Sequence, residues 1–205
     1  MEFYYYSLIF YIFYIFLKKS SLQQIINFSD QNYSKLIGYI NSCIHAKIVY
    51  ILSLLFLLNI IDFSIWVHCL DIIRGYCFYD TILILYNDPY NYQMLIHHIL
   101  FFIGSYNNYI YIYPLKMAFG LLSEISNQFL YFGWFLIKKN LHNTLLFKIN
   151  SVILLILFFV FRVLNFSYFL FFIFKSCSSY EFFMAFPITL LNYYWFYLLF
   201  KKFLT

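Results

Sequence analysis

Charge is what this sequence has least of. Of its 205 residues only 10% are Asp, Glu, Lys or Arg, whereas 64% are hydrophobic and 27% aromatic. A soluble globular protein carries about 25% charged residues, and this chain has too few to coat a surface facing water. Its mean hydropathy of +0.78 agrees. A soluble enzyme, a disordered chain and a nucleic-acid-binding module are thereby excluded, despite the net charge of +5. C-x-x-C spacing is also missing. Cys43, Cys69, Cys77 and Cys177 make neither a zinc site nor a secreted disulfide framework. No repeat of 20–50 residues, long linker or low-complexity tail is present. The chain reads as an all-α integral membrane protein.

What is there is apolar runs. A spanning helix needs about 20 mainly apolar residues, and seven segments approach that length: 3–17, 48–67, 70–86, 92–110, 114–137, 149–174 and 182–200. The first could be a signal peptide, but Glu2 stands where a positive n-region belongs and Ser20-Ser21 is a poor cleavage site. It is read as a retained helix. With seven spans, one side receives Lys18, Lys19, Lys35, Lys47, Lys138, Lys139, Lys148, Lys201 and Lys202, nine of the thirteen basic residues. The positive-inside rule makes that side cytosolic, which places the N-terminus outside and the C-terminus in the cytosol. Segment 18–47 is the one long polar connection, either an ordered loop or the site of an interfacial amphipathic helix built on Ile25, Ile26, Phe28, Leu36, Ile37 and Ile40.

Ionisable residues inside a bilayer are costly, about 2.5–3.5 kcal/mol on insertion scales, and they tend to face the bundle interior and mark function. Five qualify: Asp80, His97, His98, Glu124 and Arg162. In the fifth span, Gly120, Glu124, Asn127, Gln128 and Tyr131 recur at helical intervals and form a polar stripe. That stripe must meet water, a ligand or another polar helix; hydrogen bonding between helices is the plainer alternative. His97 and His98 are adjacent and so point about 100° apart on a helix. One is expected to face a reacting centre and the other a neighbouring helix. An imidazole can act as general base, nucleophile or metal ligand. His68 and His142 read as surface or interfacial residues, and Asp71 with Arg74 as a local ion pair.

Metal chemistry finds little support. Membrane di-iron hydroxylases need clusters such as HxxHH, and this chain has His45, His68, His97, His98 and His142 with Met at position 94. A single ion on one histidine, Glu124 and Asp80 is the remaining metal alternative, and no metal is expected.

Three strings carry a resemblance: G-Y-x-x-Y-D at Gly75–Asp80, the pair His97-His98, and S-E-x-S-x-x-F-L-x-x-x-W at Ser123–Trp134. Together with Ser42-x-x-His45-Ala46 and Phe158-Phe159-x-x-Arg162, they resemble the TLC domain, over roughly residues 35–203. The resemblance implies a six-helix lipid-binding bundle over 35–205, preceded by one helix and its polar connection in 1–34. In the ceramide synthases of that family, a His-His pair and downstream aspartates line a chamber where an acyl chain passes from coenzyme A to a sphingoid amine. Carried over, His97, His98 and Glu124 take the catalytic positions. His45, Asp80, Asn127, Gln128, Tyr131, Trp134 and Arg162 become ligand contacts. Asn127 stands where a second acid is expected, and the S-E-x-S form is closer to the small transmembrane TLC-domain proteins.

Three functions follow from this. The first is a lipid-binding membrane protein of sphingolipid and phospholipid homeostasis. The second is an N-acyltransferase of ceramide-synthase type, with acyl-CoA as co-substrate, a sphingoid base as acceptor, and Glu124 holding the active imidazole. The third is a structural subunit of a larger membrane complex or homo-oligomer. The resemblance also implies residence in the endoplasmic reticulum, and no nucleic-acid partner is expected.

Overall fold

The computed structural model describes residues 3–88, 90–106, 112–176 and 179–204. Among the described residues the fold is all-helical, with no strand. In chain order the elements are α1 (Phe3–Lys19), α2 (Leu22–Ile26), α3 (Asp30–Leu57), α4 (Phe63–Trp66), α5 (His68–Asn87) and α6 (Tyr92–Gly104). Then come α7 (Pro114–Leu121), a 3₁₀ turn (Leu122–Glu124), α8 (Ile125–Lys138) and α9 (Leu145–Phe158). A π-helical segment (Phe159–Leu164) leads into α10 (Asn165–Ser176), and α11 (Ser179–Leu204) ends the chain.

Local chemistry sets the boundaries. Ser29, Asn91 and Thr144 cap α3, α6 and α9 by accepting backbone N–H groups with their side chains. Pro114 sits in the first turn of α7, where its missing N–H costs nothing. Asn27, Asn59 and Asn140 follow helix ends at φ of 55°, 57° and 57°. Among non-glycine residues, asparagine tolerates that left-handed conformation well.

Segment 18–47 differs from its expected form. It is not a polar connection: from Asp30 onward it is the first half of α3, with Tyr33, Leu36, Ile37, Asn41, Ser42, His45 and Ala46 buried. The second span also ends earlier than 67, since α3 stops at Leu57 and Phe63–Trp66 is a separate short helix. Polar side chains misled the reading because they face inward here, where they bond to other helices. Asn41 Nδ2 donates to Phe10 O at 3.1 Å and to the Tyr79 hydroxyl at 2.7 Å, which links α3 to α1 and α5. Lys47 accordingly lies on the exposed flank of α3 and not in a loop.

By length and composition, two helices can cross a membrane among the described residues: Asp30–Leu57 and the continuous Leu145–Lys175. Several of the other expected spans are shorter or more interrupted, whereas the seventh lies within the 26-residue α11, which contains Pro187. α1 has 17 residues and α6 has 13. α5 carries Asp71, Arg74 and Asp80, and the fifth span is broken by its 3₁₀ turn. Residues 107–110 of the fourth expected span lie outside the described residues, as does Cys177. The surface is nonetheless apolar, with Tyr5, Phe16, Leu145 and Phe174 among many large side chains more than two thirds exposed. So large an apolar exterior needs lipid or protein against it.

α3 lies at the centre and packs on α1, α5, α7 and α8. Its core includes Tyr33, Ile37, Val49, Trp66 and Leu70, and the Trp66 indole donates to Ser53 Oγ at 3.2 Å. Cys43, Cys69 and Cys77 are free thiols. α1 and α5 approach closely at Gly75. A Cβ there would lie 2.6 Å from Tyr6 Cβ and 2.7 Å from Phe3 O, whereas a Cβ on Gly38 would meet nothing within 4 Å. Gly75→Ala is therefore expected to destabilise the fold by about 1–3 kcal/mol, the usual cost of overpacking. Gly38→Ala should be neutral or stabilising by up to about 1 kcal/mol, through the helix interior's preference for alanine. Unfolding of the two purified variants in detergent measures both.

Candidate functional site

A cavity of about 300 Å³ lies among α3, α5, α6, the 3₁₀ turn, α8, the π segment and α11. Its lining includes His45, His97, His98, Glu124, Asn127, Tyr131 and Arg162, seven of the ten residues singled out from sequence. Apolar walls complete it: Ile73, Phe101, Leu121, Leu130, Phe158, Leu198 and Leu199.

Arg162 anchors the polar side. It is 4% exposed and sits within the π segment, a form of helix often found at functional positions. All three guanidinium nitrogens are engaged. Nε donates to Ser126 Oγ at 2.9 Å, Nη1 to Asn192 Oδ1 at 3.3 Å and Nη2 to Asn127 Oδ1 at 2.9 Å. Glu124 Oε1 lies 3.7 Å from Nη2. Asn127 bridges the pair: its amide nitrogen donates to Glu124 Oε2 at 2.8 Å while its oxygen accepts from arginine. An aspartate at 127 would turn that donor into a second acceptor and crowd another negative charge against Glu124.

The stripe expected on the fifth span is bent by the 3₁₀ turn. Glu124, Asn127 and Tyr131 reach the cavity. Gln128 turns the other way and donates to Cys43 O of α3 at 2.7 Å. Trp134 is also away from the cavity, packed edge-on against Tyr39 and Phe28. Tyr131 stacks on Tyr39 with ring centroids 4.4 Å apart and accepts from Ser42 Oγ at 3.1 Å.

Both adjacent histidines line the cavity, contrary to the expected division between pocket and neighbouring helix; their ring centroids are 5.6 Å apart. They differ in company. His97 lies against Phe101 and Trp195, and the Trp195 indole is held by Gln93 at 3.0 Å. His98 turns Nδ1 toward Asp80, 3.5 Å from Oδ2. That distance is long for a hydrogen bond but within ion-pair range. Asp80 is not in the cavity lining. It belongs to a second, more polar cavity of about 330 Å³ that shares Ser42, Tyr76, Met94 and Tyr131 with the first. The acid beside the imidazole is thus Asp80, while Glu124 serves the guanidinium. Sequence could not divide them, because both are acids set among apolar residues and only tertiary distance tells which faces the imidazole.

His45 is a full member of the site. It is 4% exposed, lines the cavity and stacks on Tyr76 with centroids 4.1 Å apart and rings 11° from parallel. Neither of its ring nitrogens has a hydrogen-bond partner among the described residues, and Nδ1 of His97 is likewise unpartnered. Sequence reasoning missed Asn192 and Ser126 as partners of Arg162, and Trp195 as a wall of the site. Serine, asparagine and tryptophan carry no charge to announce them. Asp71 and Arg74 form the expected local pair, at 2.9 Å. Among the described residues no group of His, Cys, Asp and Glu is arranged to hold a metal ion.

Removing one partner of a buried pair strands a charge and costs about 3–5 kcal/mol, whereas removing both charges can be nearly neutral. Arg162→Met alone is therefore expected to destabilise strongly, and the double variant Glu124→Gln with Arg162→Met to recover most of that loss. A double-mutant cycle of unfolding in detergent checks the coupling.

No family model matches the chain, and no solved structure matches it. It is similar to TLC domain-containing protein 4 A of Dictyostelium discoideum, at 31% identity over 146 residues, covering 64% of this chain. The match covers 56% of that relative, so the chain spans little more than half its length. Together with the apolar helices, this points to a membrane protein. The family resemblance of the motif strings is in keeping with this similarity, and several of their residues, among them Tyr76, His97, His98, Glu124 and Arg162, line one cavity.

Proposed function

We propose that the chain is a membrane protein of about seven transmembrane helices, its N-terminus lumenal and its C-terminus cytosolic, which binds a lipid in the His/Glu cavity. It acts in membrane lipid homeostasis, in the endoplasmic reticulum by the family resemblance. The observation that carries this reading is the make-up of one cavity, with imidazoles, a carboxylate and amides on one side and aliphatic and aromatic walls around them. Such a pocket suits a molecule with a polar end and an acyl tail. Its size falls at the lower end of the range of about 300–1,000 Å³ for small-molecule sites, so the chamber suits the head and the first part of a chain. The lysines of the cytosolic set that remain outside α3, Lys18, Lys19, Lys138, Lys139, Lys148, Lys201 and Lys202, support the orientation.

A second reading is favoured by a separate observation, the acid beside His98. A histidine oriented by a carboxylate is the usual form of a general base. In an N-acyltransferase, His98 would accept the proton of a sphingoid amine as its nitrogen attacks the thioester carbonyl of acyl-CoA. The carbon–sulfur bond then breaks, and the CoA thiolate takes up a proton. Asp80, not Glu124, would hold the imidazole.

Lipid that co-purifies with the protein, identified and quantified by mass spectrometry, tests the first reading. Leu121→Trp fills the cavity and should lower bound lipid more than about tenfold, since excluding two methylenes forfeits about 1.6 kcal/mol. Equal lipid content in both proteins would place the lipid elsewhere. Assay with acyl-CoA and sphingoid base tests the second reading. His98→Ala and Asp80→Asn should each lower kcat by about 10² or more, the scale of general base catalysis, while Gln128→Met, outside the cavity, should retain turnover. Absence of turnover in the wild type leaves the non-catalytic reading.

A further inference from the structure

The chemistry of the cavity narrows the class of lipid head it takes; this rests on the lipid-binding reading above. The only cation deep in the lining, Arg162, is occupied on every nitrogen by Ser126, Asn192, Asn127 and Glu124. Its charge is matched by that carboxylate within 3.7 Å. The other cation in the lining, Lys202, is exposed in the last turn of α11, whereas His45 and His98 are 4% and 3% exposed. Among the described residues no further buried cation lines the cavity to neutralise an anionic head. An ammonium head fares no better, because Glu124 is committed to Arg162 and Asp80 faces His98 from the second cavity.

What the cavity does offer is unused hydrogen-bonding capacity. Both ring nitrogens of His45 and Nδ1 of His97 are buried without a partner among the described residues. A neutral imidazole presents one N–H donor and one bare nitrogen acceptor, and His45 stacks on Tyr76 and lies edge-on to Phe10, with no carboxylate against it. A buried polar atom left unpaired is costly, so an occupant that both donates and accepts pairs these nitrogens of His45 and His97 best.

We infer that the cavity selects a lipid with an uncharged head that carries a hydrogen-bond donor and a carbonyl acceptor, such as an amide, and that His45 reads that head. Acidic and cationic heads on the same chain are disfavoured.

Three probes of one chain length separate the cases: oleamide, oleate and oleylamine, titrated against the purified full chain in detergent with thermal stabilisation as readout. Oleamide is expected to bind at least about tenfold more tightly than either charged analogue, the scale of one buried hydrogen bond left unmade. His45→Phe keeps the ring stack and should erase that preference, lowering oleamide affinity while leaving oleate unchanged. His45→Gln, which restores a donor and an acceptor, should recover part of it. Oleate or oleylamine binding as tightly as oleamide to the wild type overturns the inference while the lipid reading stands. Binding of none of the three overturns both. The comparison on the wild type decides the matter even if His45→Phe fails to fold.

Discussion

A guanidinium inside an apolar bundle persists only if its neighbours take up both its charge and its N–H groups. Arg162 is such a group, and it draws four parts of the chain to one point. Ser126 and Asn127 come from α8, Glu124 from the 3₁₀ turn, Asn192 from α11, and the arginine itself from the π segment. Two of those parts are departures from regular α-helix. They place Arg162 and Glu124 where a straight α-helical register would have put different atoms. The arrangement also consumes the two strongest charges near the cavity, so what faces the interior is hydrogen-bonding but electrically quiet.

The three motif strings divide the structural work. Gly75 at the head of the first string lets α1 lie against α5, and Asp80 at its end stands behind His98. The histidine pair supplies two walls of one chamber, each with its own surroundings. The third string supplies the acid and amide that hold the arginine. Because Asp80 lines one cavity and His98 the other, the imidazole forms part of the partition between them. Ser42, Tyr76, Met94 and Tyr131 complete that partition, since both cavities touch them.

Much of the site was legible because charge is rare in an apolar chain. Glu124, Arg162, Asp80 and the histidine pair stood out on that ground alone, and they do meet. Helical spacing was a poorer guide where the helix is not regular. It put Gln128 on the same face as Glu124, and the 3₁₀ turn sends it to Cys43 instead. Boundaries suffered from the converse error. Polar residues such as Asn41, Ser42 and His45 made the start of α3 look like a loop, although they are polar because they bond or face inward within the bundle. Asn192 was not picked out, and Ser126, though part of the third string, was not recognised as a partner of Arg162, because tertiary folding brings each to the guanidinium. Which acid serves which base is likewise a matter of tertiary distance, 3.5 Å for Asp80 to His98 and 3.7 Å for Glu124 to Arg162.

The contact at Gly75 bears on how the molecule is made. The surface against which Phe3, Tyr6 and Ser7 rest belongs to α5, far along the chain, so α1 completes its docking only after the ribosome has passed that glycine. The Asn41 side chain, which grips Phe10 O, is made before α5 and gives α1 a provisional hold on α3. Assembly is therefore completed when α5 closes on α1, and Phe10 meets Tyr76 only at that late step.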